Sequence, residues 1–126
     1  MIEILPASAH VAAFHFSGTL HVEDYDRCIE LIEARLADHR RITIFCDLTG
    51  MSGIEPAAKA KDLRFALAKF GEYQRFARSA VVTEQAWLSG ITKFAAMFFP
   101  HTEIRTFSPE ERAAAFAWAN EELPGS

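Results

Sequence analysis

The chain has 126 residues, 50% of them hydrophobic and eleven of them phenylalanine, which is enough apolar surface for one packed core and suits one domain without a linker. A charged fraction of 24% argues against disorder, and a formal net charge of −4 gives no broad basic footprint for nucleic acid. No apolar run approaches the roughly 20 residues that span a bilayer, and Met1-Ile2-Glu3-Ile4-Leu5-Pro6 lacks the basic flank and cleavage site of a leader. Cys28 and Cys46 stand far apart and outside any paired motif, so two buried thiols in a reducing cytoplasm are expected.

Ile2-Glu3-Ile4-Leu5 alternates briefly and stops at Pro6, a short first strand. Val11 to Phe16 is a second strand, ended by Ser17-Gly18. So few residues join the two that only a hairpin fits, and the pair is expected to be antiparallel. The period then changes. Tyr25, Ile29, Ile32 and Leu36 form the stripe of an amphipathic helix, with Glu23 and Asp24 in its first turn and His39, Arg40 and Arg41 at its far end, as the helix dipole favours.

Ile42 to Cys46 is a third strand, followed by Asp47-Leu48-Thr49-Gly50-Met51-Ser52-Gly53, whose glycines and hydroxyls predict a loop. Pro56 suits the first turn of a helix with the stripe Ala60, Leu63, Leu67 and Phe70, and Gly71 suits its C-terminal cap. A fourth strand begins near Phe76 and ends at Val82. Thr83 then caps a helix with the stripe Trp87, Ile91, Phe94 and Phe98, closed by Pro100. Glu103 to Phe107 alternates as a fifth strand. Ser108-Pro109-Glu110-Glu111 combines an N-cap, a proline at N1 and a capping box, opening a last helix that turns Ala113, Phe116 and Trp118 inward and runs to about Glu122. The expected architecture is α/β, a five-stranded mixed sheet in the order β-β-α-β-α-β-α-β-α with four helices, its later strands parallel through right-handed crossovers.

Ile44-Phe45-Cys46-Asp47-Leu48-Thr49-Gly50-Met51, preceded by Gly18-Thr19-Leu20 and a long helix, resembles the SpoIIAA-like proteins, relatives of the STAS domains of anti-sigma-factor antagonists and sulfate transporters. Glu23-Asp24-Tyr25, Ala80-Val81-Val82 before Trp87, and Phe107-Ser108-Pro109 extend the likeness over nearly the whole chain. The resemblance implies the compact SpoIIAA fold. It also implies a test, because the antagonists carry Asp-Leu-Ser-x-Val-x-Phe-Met-Asp-Ser-Ser and a partner kinase phosphorylates the final serine. Here Asp47 and Leu48 match, Thr49 replaces the first serine, Glu55 stands at the later aspartate and Pro56 at the next serine. Ala57 occupies the phosphoacceptor position, and alanine has no hydroxyl to phosphorylate. The subgroup that the chain most resembles is largely of unassigned function.

Ligands of open α/β sheets gather beyond the carboxyl ends of parallel strands, so Asp47, Thr49, Ser52 and Glu55 are the polar candidates for contact with a partner or ligand. The plainer reading is that Asp47 and Thr49 satisfy loose backbone N–H groups in a turn. Ser52 is not in a Gly-x-Ser-x-Gly elbow, no phosphate-binding glycine loop is present, and Lys59, Lys61, Arg64 and Lys69 form a solvated face interrupted by Asp62. None of the five histidines follows a metal or catalytic spacing, and the odd offset of His10 and His15 predicts that they face opposite sides of the sheet. No metal, cofactor or enzymatic activity is expected. The helix carrying Trp87, Leu88, Ile91, Phe94, Met97, Phe98 and Phe99 is richer in apolar residues than one buried face needs. Core packing or a homodimer seam explains it most simply. The sharper reading takes Trp87, Phe94 and Phe98 as walls for a small apolar, lipid-like ligand. The sequence thus reads as a non-enzymatic interaction or ligand-binding module, with a carrier or sensor of an apolar molecule as the alternative.

Overall fold

The computed structural model describes residues 1–58, 60, 61, 64, 75–84 and 102–123. Five strands form one sheet in sequential order: β1 (Ile2–Ile4), β2 (Val11–Leu20), β3 (Ile42–Ile54), β4 (Phe76–Val82) and β5 (Glu103–Phe107). β1 pairs antiparallel with β2, as the short connection requires, and every later neighbour is parallel. Among the described residues, helix forms α1 (Val22–Asp38), a run over 56–58, 60, 61 and 64, and α2 (Arg112–Asn120) behind a 3₁₀ turn at Pro109–Glu111. The expected helix built on Trp87, Ile91, Phe94 and Phe98 lies outside the described residues, as do Leu63, Leu67, Phe70 and Gly71.

Alternation along the strands divides the core into two layers. Ala12, Phe14 and Phe16 of β2 pack with Cys28, Ile32 and Leu36 of α1 on one face. Val11 and Ala13 of β2, Phe45 of β3 and Ala80 and Val82 of β4 pack with Ala115, Trp118 and Ala119 of α2 on the other. Full burial of a phenylalanine such as Phe14 or Phe45 is worth roughly 2–3 kcal/mol. Ala113 is exposed, contrary to expectation, because the 3₁₀ turn delays the start of α2 and shifts its inward stripe to Ala115, Trp118 and Ala119. Cys28 is buried and Cys46 half-buried.

Both helix ends near the sheet are tied. The His21 backbone N–H donates to Asp24 Oδ2 at 3.0 Å at the start of α1. At its end Arg75 donates to the carbonyls of Leu36, His39 (3.0 Å) and Arg40 (3.2 Å), which would otherwise lack partners. The predicted capping box before α2 is present, with Ser108 N–H and hydroxyl each 3.0 Å from Glu111 Oε1.

The largest departure from expectation is the segment Asp47–Gly53, which is strand rather than loop. β2 likewise continues through Ser17 and Gly18 to Leu20. Glycine and hydroxyl residues suggested a turn because that composition also marks bulges. Between the pairs His15–Asp47 and Ser17–Gly50, β3 advances three residues and β2 two. Between Gly18–Met51 and Thr19–Gly53, β3 advances two and β2 one. Gly18 adopts φ +64° at the second irregularity, a conformation that a side chain would strain. The first bulge resets the alternation, so Met51 joins the α1 layer although Asp47, four residues before it, points to the α2 face.

Candidate functional site

Strand register aligns Glu3, His15, Asp47, Val82 and Phe107 in one row across all five strands. Directly paired residues share a face, here the face covered by α2. Asp47 is the buried charge of that row, with a side chain only 2% exposed. A carboxylate there must be compensated. Its Oδ1 accepts from the Thr49 backbone N–H at 3.1 Å and the Thr49 hydroxyl at 2.7 Å. Its Oδ2 receives Arg112 Nε at 2.6 Å and lies 3.2 Å from His15 Nδ1.

Burial would push the Asp47 carboxyl up. The Arg112 guanidinium, then the Thr49 hydroxyl and N–H, and then His15 override it, bringing it from the ordinary 3.8 down to about 2. Asp47 is therefore ionised at neutral pH and can only accept. The hydrogen between it and His15 must sit on Nδ1. The turn reading of Asp47 and Thr49 accounts for Oδ1. The Oδ2 contacts, which reach across to β2 and α2, are additional.

Sequence reasoning missed His15 and Arg112. Two signals were available. His15 is the one histidine among buried apolar neighbours in Val-Ala-Ala-Phe-His-Phe, on the same strand phase as Val11 and Ala13. Arg112 lies in the first turn of a helix, where the dipole disfavours a cation, so a compensating carboxylate was to be sought elsewhere. The opposite facing of His10 and His15 does not hold, since His10 precedes the strand and its Nε2 lies 3.0 Å from the Glu121 carbonyl at the end of α2.

The remaining polar candidates sit at the carboxyl ends of β2 and β3. Ser52 is exposed. Glu55 is half-buried, donates its backbone N–H to the Leu20 carbonyl at 2.9 Å, and its Oε2 lies 2.6 Å from His21 Nδ1. Ala57 follows as an exposed residue in the first turn of the next helix. Lys61 of that helix forms an ion pair with Asp26 of α1, which places the two helices on one side of the sheet. Trp87, Phe94 and Phe98 lie outside the described residues. Among the described residues no group of three ligating side chains could hold a metal ion, and no helix is long and apolar enough to cross a membrane.

A family model described as SpoIIAA-like matches residues 11–120, which include β2 to β5, α1, α2 and every side chain of the Asp47 cluster. The chain belongs to the SpoIIAA-like family. A crystal structure of an uncharacterised protein from the DUF3478 family, with a SpoIIAA-like fold and from Shewanella loihica, is similar with a TM-score of 0.71 and 28% identity, covering 94% of this chain and 92% of that one. No curated protein matches the chain. This SpoIIAA-like domain carries Asp47 on β3 and an exposed alanine, Ala57, in the first turn of the helix that follows.

Proposed function

We propose that this SpoIIAA-like domain is a non-enzymatic interaction module that contacts a protein partner through Ser52, Glu55 and the helix start at Ala57, without control by phosphorylation. One observation carries the reading. Ala57 is exposed in the first turn of a helix, where a kinase could reach a hydroxyl, and it offers only a methyl group. The Asp47 carboxylate is left out of that surface, since Thr49, Arg112 and His15 use both of its oxygens.

Affinity capture with the tagged full chain tests this, comparing wild type with Glu55→Arg and with Ser52→Arg. A protein retained by wild type, lost from both variants and unaffected by ATP is the expected result. A partner retained equally by all three, or released by ATP with phosphate found between residues 52 and 57, refutes the reading.

The alternative, carriage or sensing of a small apolar molecule, draws support from an open concavity of about 410 Å³ at the β1 edge, where Met1 and Ile4 are exposed beside Ile2. Glu3, His15, Ser17 and Arg27 line it as well, so its lining is partly polar. Native mass spectrometry of protein purified from cells tests it, and a mass equal to the bare chain counts against it.

A further inference from the structure

β1 is an outer strand of the sheet, paired on one side only. The Ser17 N–H donates to the Met1 carbonyl and the Leu5 N–H to the Ala13 carbonyl, both at 2.9 Å. Odd-numbered residues of this stretch therefore turn their backbone groups toward β2, and the N–H and C=O of Ile2 and Ile4 point away from the sheet. Arg27 of α1 agrees with that direction, since it donates to the Ile2 carbonyl at 3.2 Å from outside the β1–β2 ladder. The Ile2 N–H and both backbone groups of Ile4 have no partner among the described residues.

A second observation falls on the same place. The concavity of about 410 Å³ draws its lining from both faces of the sheet. Glu3 and His15 lie on the α2 face, while Ile2 packs in the α1 layer and Arg27 projects from α1. The open space thus runs around the outer edge of β1, where the unpaired backbone groups point. An apolar molecule there would leave those groups without partners. An extended peptide would satisfy them by adding a strand to the sheet.

Charge selects among peptides. Glu3 is exposed and has no ion pair among the described residues. An antiparallel strand bonded to Ile2 and Ile4 sets its middle residue opposite Glu3, in the pairing where side chains are closest. A second copy of β1 related by a twofold axis would set Glu3 against Glu3, with like charges directly opposed. A lysine or arginine in that place is attracted instead. His15, the neighbour of Glu3 on the inner side, turns Nδ1 to Asp47. Arg27 reaches β1 from the α1 side, so the incoming cation and Arg27 stay on opposite faces. Residues flanking the cation lie beside Ile2 and Ile4, the latter 40% exposed. The Ile2 carbonyl has a second lone pair for the peptide beside its bond from Arg27.

We propose that the outer edge of β1 binds an extended segment of a protein partner by antiparallel strand addition, with a lysine or arginine opposite Glu3 and apolar residues on either side of it. β1 is three residues long, so this contact alone is weak. It lies across β2 from the strand that carries Ser52 and leads to Glu55, so failure of peptide binding leaves the 52–57 surface intact, and loss of that surface leaves this edge intact.

The test is titration of the full chain with the end-blocked peptide Thr-Val-Lys-Val-Thr, followed by the backbone amide signals of Ile2, Glu3 and Ile4 in NMR spectra. Saturable shifts centred on β1 are expected, with the Ile2 and Ile4 amides moving most. The same peptide with glutamate at its centre should bind about threefold to tenfold more weakly, and Glu3→Lys should reverse that order. Methylating the backbone nitrogen of either valine removes an N–H that faces β1 and should weaken binding by about tenfold or more, whereas methylating that of the lysine should change it little. Ile4→Pro deletes the outward N–H without removing a β1–β2 bond and should lose binding; if it does not fold, Glu3→Lys decides. No saturable binding, equal binding of both peptides by wild type, or equal losses on methylating lysine and valine overturns the proposal. A wild-type dimer in sedimentation that Ile4→Pro or Glu3→Lys converts to monomer makes a second copy the occupant and overturns it as well.

Discussion

Asp47→Asn isolates the energetics of the buried carboxylate. The folded carboxyl titrates at about 2 against 3.8 for an ordinary aspartate. A depressed value stabilises the fold wherever the unfolded chain holds more protons, so the contribution is complete above the unfolded value and is lost as pH falls through the folded one. At about 1.4 kcal/mol per unit, the shift amounts to about 2 kcal/mol at neutral pH, roughly half of it gone by about pH 3 and most by about pH 2. An asparagine oxygen can still accept from Thr49, but its amide nitrogen would face the donors of Arg112 and His15. The variant should therefore lose about 2 kcal/mol at neutral pH and converge on wild type as the pH drops. Urea unfolding of both proteins at several pH values between about 2 and 7 measures this directly. A difference that does not change with pH, or no difference at neutral pH, would refute the view that Asp47 is held as a compensated buried anion.

Three further substitutions probe the surrounding frame. The Thr43 hydroxyl is fully buried with no hydrogen-bond partner among the described residues, so Thr43→Val should be neutral or stabilise the fold by up to about 1 kcal/mol in denaturant titrations. Gly50→Ala places a methyl 3.0 Å from the Phe16 carbonyl and should cost about 1–3 kcal/mol, with a lower thermal midpoint than wild type. Ser108→Ala removes the hydroxyl of the capping box, although the Ser108 backbone N–H still reaches Glu111. A loss of about 1 kcal/mol in stability is expected, and amide exchange should quicken in the first turn of α2.

Much of the architecture was legible because it follows from periodicity and chain length. The short link between β1 and β2 required a hairpin, and the helical stripe ending in Ile32 and Leu36 announced a crossover between parallel strands. The ends of β2 and β3 were not legible, since Ser17-Gly18 and Gly50 to Gly53 have the composition of turns and only pairing with a neighbour makes them bulged strand. The site was half legible. Asp47 and Thr49 are local partners two residues apart, and local chemistry suggested them. His15 is 32 residues away from Asp47 and Arg112 is 65 away, and no spacing rule spans such distances without the sheet register to supply it.

The sequential strand order has a consequence for how the protein is made. Each strand pairs with the one synthesised just before it, so the sheet can grow at a single edge while the chain leaves the ribosome. Asp47 enters that growing sheet early and finds Thr49 and His15 at once, but Arg112 is translated only after β5. Until then the carboxylate has no cation of fixed charge, and the face that α2 will cover stays open. A ribosome-stalled chain ending before Arg112 would be an intermediate in waiting, its final layer and its charge balance delivered together by the last helix.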